Sequence, residues 1–314
     1  MMNAVKTTVT FDRAAGKNIV MVGDAGPYKT AKTGAELERA VEFFFKKATG
    51  VKKDYDQIMG GVSVSSEPKE EKYDINTRFG FVEKLVSMVA AGVQPSAVIT
   101  GAGGLGKTYT VTKTLQSSGY KDISDLADFQ VGSVINTRKC FTFVKGYSTP
   151  KGLYRTLFEN NKSIIVFDDC DAVLKDPVAL NLLKGALDSY GKRIISWNAD
   201  MRDDDLPRSF NFEGRVIFIS NMSQDKIDQA IRSRSMMIDL SMTLDQKIDR
   251  MEHIALSDEF MPEYTKAQKQ DALALIRDIK DEAKEISLRT LISVTKIRAS
   301  NDEWKDLATY MLTA

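Results

Sequence analysis

Residues 97–111 read AVITGAGGLGKTYTV, and within them residues 101–108, GAGGLGKT, match the pattern G-x-x-x-x-G-K-[ST] at every defined position. A short β-branched run precedes the pattern and a helical one follows it. A loop that holds polyphosphate must turn backbone N–H groups inward, and Gly103, Gly104 and Gly106 permit that curvature and a close approach. A helix beginning at the end of the loop adds partial positive charge. In such a loop Lys107 reaches the β- and γ-phosphates and the Thr108 hydroxyl ligates Mg²⁺. Gly101, Ala102, Gly103, Gly104, Leu105, Gly106, Lys107, Thr108 and the following Tyr109 are therefore read as the nucleotide-binding stretch.

Working outward, residues 18–30, NIVMVGDAGPYKT, also put Lys-Thr after a strand pattern and glycines. The match fails at Tyr28, whose side chain would fill the space where phosphate approaches the backbone, so Gly23 to Thr30 reads as a turn. On the other side lies IIVFDDCD, residues 164–171, an apolar run ending in Asp168 and Asp169. A buried parallel strand delivers such carboxylates to the sheet edge where ligands bind. Asp168 is expected to hold Mg²⁺, and Asp169 to polarise the attacking water as general base.

Taken in order, these motifs resemble the AAA+ ATPase family, and the resemblance spans residues of about 76–295. DDCDAVL is similar to the family's DEIDAL, with Asp171 matching the later acid. The family usually has Glu where Asp169 stands, one methylene shorter, which leaves slow hydrolysis or a purely ATP-dependent assembly switch open. VIFISN ends in Asn221, at the place of the family's sensor 1. IDQAIRSRSMMIDL resembles the segment that offers an arginine to a neighbouring subunit, with Arg234 as the finger and Arg232 as its alternate. EISLRTLISVTKI resembles the lid motif called sensor 2, with Arg289 reaching back to the phosphates. The resemblance implies ATP and Mg²⁺ as cofactors. It further implies a homo-oligomeric ring, most often a hexamer, and a five-stranded parallel sheet in the order 5-1-4-3-2. The architecture also resembles uncharacterised AAA+ proteins of tailed bacteriophages, which implies a viral protein acting in the cytoplasm of a bacterial host.

The expected organisation is α/β throughout, in three parts. Residues 1–75 form a small N-terminal α/β region: KTTVTF and NIVMVG read as strands joined by DRAAGKN. A helix then opens on a Thr33/Glu36 capping box and buries Leu37, Ala40, Val41, Phe44 and Phe45. The polar segment SSEPKEEKYD, residues 65–74, reads as a linker. Residues 76–242 alternate helices with β-branched runs, as a parallel sheet covered on both faces requires, and form the nucleotide-binding core. Residues 243–314 lose their strand signals and form a helical lid.

Composition narrows the partners. Lys and Arg number 44 against 43 Asp and Glu, so no global field draws the 314-residue chain toward nucleic acid or an anionic membrane. No apolar run approaches the ~18 residues of a membrane span and no signal segment opens the chain, so a soluble cytoplasmic protein is expected. Cys140 and Cys170 sit in apolar runs as reduced core thiols. The single histidine, His253, leaves no ligand set for a zinc hydrolase and reads as a solvated helix residue.

Two stretches are candidates for touching a macromolecular substrate. VKGYSTPKG, residues 144–152, occupies the place of a translocase pore loop, with Lys145, Gly146 and Tyr147 as gripping residues; a Gly/Pro turn is the alternative. Residues 192–214 are long for a connection, and RIISW and SFNF can pair as a hairpin around MRDDDLP. A hairpin there speaks for a DNA motor or loader, but Asp203, Asp204 and Asp205 at its tip would repel phosphate. Three readings stay open: a protein remodeller, which the near-neutral charge favours, a nucleic-acid motor or loader, and an assembly switch.

Overall fold

A computed structural model describes residues 7–12, 17–22, 25–33, 35–50, 72–124, 139–146, 148–188, 191–198 and 206–314. Tyr147, Asp203, Asp204, Asp205, the turn at 13–16 and the linker residues 65–71 lie outside the described residues. The chain divides into two compact units, residues 1–70 and 71–314.

In the first unit β1 (Thr7–Asp12), β2 (Lys17–Val22) and β3 (Ala25–Thr30) form an antiparallel sheet in the order β1-β2-β3, followed by α1 (Ala35–Thr49). The third strand corrects the sequence expectation of a turn from Gly23 to Thr30. Its Tyr28 stacks on Phe44 of α1 at 4.8 Å and 7°, an anchor 16 positions away along the chain that compensates for the turn-forming Gly26 and Pro27. Val20, Val22, Val41 and Phe45 make the buried core of this unit.

The second unit opens with α2 (Ile75–Ala90), capped by the Asp74 carboxylate, which accepts from the N–H groups of Asn76 and Thr77. Next come β4 (Ser96–Thr100), α3 (Lys107–Ser117), β5 (Lys121–Asp122), β6 (Cys140–Lys145), α4 (Pro150–Glu159), β7 (Ile164–Asp168) and α5 (Pro177–Ala186). A hairpin, β8 (Ile194–Ser196) and β9 (Ser209–Asn211), precedes β10 (Arg215–Ile219), α6 (Gln229–Arg234) and β11 (Met236–Asp239). One parallel sheet runs β11-β4-β10-β7-β6-β5. Five of these strands follow the expected 5-1-4-3-2 order. The added edge strand, β5, corrects the expected count; at two residues it is too short to carry an alternating pattern.

Strand residues alternate between two apolar layers. Ala97, Ile99, Val166 and Ile217 pack with Phe79, Val86 and Leu115 of α2 and α3, while Val98, Ile165, Phe167 and Phe218 pack with Leu153, Leu157 and Leu183 of α4 and α5. Burying each such side chain contributes about 1.5–3 kcal/mol. Both faces being covered explains why these strands read as unbroken apolar runs.

From Thr243 onward the described chain is helical: α7 (Leu244–Ala255), α8 (Lys266–Asp278), α9 (Leu288–Ser300) and α10 (Trp304–Thr313). Thr243, Thr265 and Ser287 open the first three of these with capping boxes. Their common core includes Met251, Ile276, Leu291, Val294 and Trp304, and one outsider, Leu105 of the glycine-rich loop. None of the helices is long and apolar enough to cross a membrane among the described residues.

Candidate active site

The glycine-rich loop joins the C-terminal end of β4 to the first turn of α3. Its shape depends on glycine at two positions. A Cβ on Gly101 (φ 131°) would meet the Leu240 backbone at 2.7 Å, and one on Gly104 (φ 75°) would meet Ser287 Cβ at 2.9 Å. Gly106 is the N-cap of α3 and has no side chain to occupy the first-turn N–H groups, so these are left for an anion.

The helical end of the chain grips the loop from the other side. Leu105 is buried among Ile248, Met251 and their neighbours, and the N–H of Leu288 donates to the Gly104 carbonyl at 2.7 Å. Leu105, read from sequence as part of the nucleotide-binding stretch, thus turns its side chain into the helical core.

Lys107 is 5% exposed, and its ammonium donates to the carbonyls of Gly101 (2.5 Å) and Ala102 (2.8 Å) and to Asn221 Oδ1 (3.0 Å). Burial pushes its pKa down, opposed by the charges of Asp169, Asp168 and Asp171. The Asn221 amide nitrogen donates in turn to Asp169 Oδ1 at 2.7 Å. One asparagine therefore joins the lysine of the glycine-rich loop to the Asp169 carboxylate. Asp169 adopts φ 55°, a left-handed conformation that Asp tolerates better than most residues, and its N–H is held by the Ile219 carbonyl at 3.1 Å.

Thr108 Oγ1 lies 3.1 Å from both oxygens of Asp168. A hydroxyl beside a carboxylate at the head of a phosphate loop fits Mg²⁺, which takes one or two protein oxygens and keeps the rest of its shell for water and phosphate. Asp168 is 8% exposed; burial raises its pKa, against the Thr108 hydrogen bond that lowers it. Burial also pushes the adjacent Cys170 thiol up to about 11, so it stays protonated and inert, as a core cysteine should.

Residues 97–243 match the model of the ATPase family associated with various cellular activities (AAA). This stretch is an AAA domain. The chain is also 28% identical over 270 residues to an uncharacterised 36.7 kDa protein in the nrdC-mobD intergenic region of Enterobacteria phage T4, a match covering 78% of each chain. An AAA domain binds nucleotide, which agrees with the loop geometry, and AAA proteins often work as oligomers.

The remaining sequence candidates fall in three places. Lys145 ends β6 in register with Asp168, and its ammonium stands 3.9 Å from Asp168 Oδ2, so it borders that carboxylate. Gly146 follows with φ 82°. Arg232 and Arg234 occupy the last turn of α6. The Arg234 carbonyl accepts from Ser96 Oγ at 3.1 Å, at the beginning of β4, so the AAA domain's own phosphate loop starts about 13 Å away, four residues at ~3.3 Å each. Arg289 is exposed near the start of α9 and lines a cavity of about 270 Å³ with Lys284, Glu285 and Met311. Leu288, its neighbour in sequence, meets the phosphate loop instead, through backbone.

Sequence reasoning gave no role to Ser220 or Leu288. Ser220 is fully buried and bonds to Asp171, 49 residues away, and the Leu288 bond to Gly104 uses backbone alone, so neither leaves a local pattern. A small polar residue closing an otherwise apolar strand was the signal available at Ser220.

Proposed function

We propose that the chain is an Mg²⁺-dependent ATPase, assembled as a homo-oligomeric ring, that remodels a macromolecule, a protein in preference to nucleic acid. The observation that carries this reading is the Asn221 bridge between Lys107 and Asp169, set beside the Thr108–Asp168 pair. It gathers, at one end of a parallel sheet, the groups that phosphoryl transfer to water requires.

Lys107 and the loop N–H groups bind and orient the triphosphate tail. Thr108 and the Asp168 carboxylate would hold Mg²⁺, which when bound would neutralise phosphate charge. Asp169 accepts the proton of the attacking water, and Asn221 keeps that carboxylate at a fixed distance from the lysine. Arg234, whose backbone sits at the end of β4 opposite the loop, serves the site of the next subunit. ATP binding also alters contacts on the loop that Leu105 and Leu288 share with the helical end, a route from the site to the rest of the ring.

The β8–β9 hairpin favours one further reading, a nucleic-acid motor. Its base is fixed to α4, with Tyr154 donating to the Pro207 carbonyl at 2.6 Å and Phe210 packed edge-on to Tyr154 and Phe158. Near-neutral charge and the acid-rich tip sequence weigh toward protein.

Asp169→Asn is expected to cut ATP turnover about 100-fold or more while leaving nucleotide affinity near wild type, since general-base assistance is worth about 10²–10⁴ in rate. Unchanged turnover would remove Asp169 as base, and a wild type that binds ATP without turning it over would leave the assembly switch. In the same assay unfolded protein should stimulate the wild type; stimulation by single-stranded or duplex DNA alone would transfer the proposal to the nucleic-acid motor.

A further inference from the structure

Asn221 can bridge Lys107 and Asp169 only if its backbone is held still, and the residues on either side of it are tied in a way the proposed chemistry does not use. Ser220 is fully buried at the end of β10. Its hydroxyl accepts from the N–H of Met222 at 3.0 Å, closing a turn with Asn221 at its centre. The same hydroxyl donates to Asp171 Oδ1 at 2.6 Å, a short charge-assisted bond. With its proton committed to Asp171, Ser220 Oγ presents its lone pairs to Met222, so the carboxylate fixes the direction of the turn.

A second tie runs parallel to the first. The N–H of Asp169 donates to the Ile219 carbonyl at 3.1 Å, so the segment after β7 is joined to the end of β10 by two rungs, Asp169 to Ile219 and Asp171 to Ser220. The Asn221–Asp169 contact of 2.7 Å continues that ladder toward the phosphate loop. The Ser220 N–H also donates to the Ile99 carbonyl of β4, the strand that feeds the loop.

We propose that Asp171 is the positioning residue of the site, acting through the Ser220 hydroxyl to hold Asn221 between Lys107 and Asp169. This rests on the ATPase reading above and adds a residue to it. In this role Asp171 acts through the bond from Ser220 to its Oδ1 and need touch neither nucleotide nor water. Partners of this kind, one bond removed from the reacting groups, typically contribute about 10- to 100-fold to activity.

The test is a double-mutant cycle between Asp171 and Asn221, read in kcat, KM and the affinity for a fluorescent ATP analogue. Asp171→Ala is expected to lower kcat roughly tenfold with KM changed less than about twofold, because the loss falls on the geometry of the attacking water. Asp171→Asn keeps an acceptor oxygen for Ser220 and should recover most of the rate. In an Asn221→Ala background Asp171→Ala should cost nothing further. Losses that multiply across the cycle, or an Asn variant as impaired as the Ala variant, would overturn the proposal. If Asp171→Ala does not fold, Ser220→Ala takes its place in the cycle. A wild type that binds but never hydrolyses ATP defeats the ATPase reading alone. Coupling between the two positions in thermal stability would then still support the tie, since Ser220 links them, and additivity there would overturn it.

Discussion

Lys107→Ala is expected to abolish measurable ATP binding and to leave the folded chain intact. The ammonium is almost wholly buried, aimed at two loop carbonyls and Asn221, all within 3.0 Å. Bound phosphate replaces neutral acceptors with charged ones, and a charge-assisted bond contributes about 1.5–3 kcal/mol each. Losing one or two of these costs about 10²–10³-fold in affinity, enough to pass out of range for an ordinary nucleotide site. Stability should change little, because burial disfavours the charged amine in the fold and removing it relieves that penalty. Calorimetric titration with ATP, together with a thermal melt, checks both halves. Near-wild-type affinity in a folded Lys107→Ala protein would mean that the loop is not the triphosphate site.

The second large effect is expected at Arg234. Arg234→Ala should lower turnover about 10³-fold with nucleotide binding spared, the scale found for arginine fingers in related phosphoryl transfer. Its carbonyl bonds to Ser96 at the start of β4, whereas the phosphate loop leaves the other end of that strand. Its guanidinium donates back to the Ala230 carbonyl at 3.1 Å, one turn earlier in α6, and a neighbouring copy is expected to draw on it. Mixing Arg234→Ala with Lys107→Ala subunits supplies some junctions with an intact loop from one chain and an intact arginine from the other, and turnover should reappear. If the Arg234 variant keeps its rate, the role passes to Arg232 on the same turn or is absent.

Most of this site could be read from sequence because it is built of short segments at strand ends. GAGGLGKT, Asp168 with Asp169, and Asn221 each stand at the end of a buried strand whose apolar run marks it, and the family resemblance implied which strands are neighbours. What escaped depends on distant partners. The strand at Ala25–Thr30 was hidden by Gly26 and Pro27 and is held by Phe44; β5 is too short for any pattern. Lys145 reads as a substrate contact from its loop, yet strand register sets it opposite Asp168. The grip of Leu105 and Leu288 on the phosphate loop joins segments some 180 residues apart, through packing and one backbone bond, and no spacing in the chain announces it.

An AAA domain that hydrolyses ATP at a site shared between copies must assemble before it turns over. Steady-state ATP turnover by the wild type, followed against protein concentration in Mg²⁺ and again in excess chelator, tests it most directly. Turnover is expected to require the metal and to rise more steeply than protein concentration, as sites form between subunits. Tight ATP binding with no turnover at any concentration, or turnover strictly proportional to protein down to isolated monomers, would contradict it.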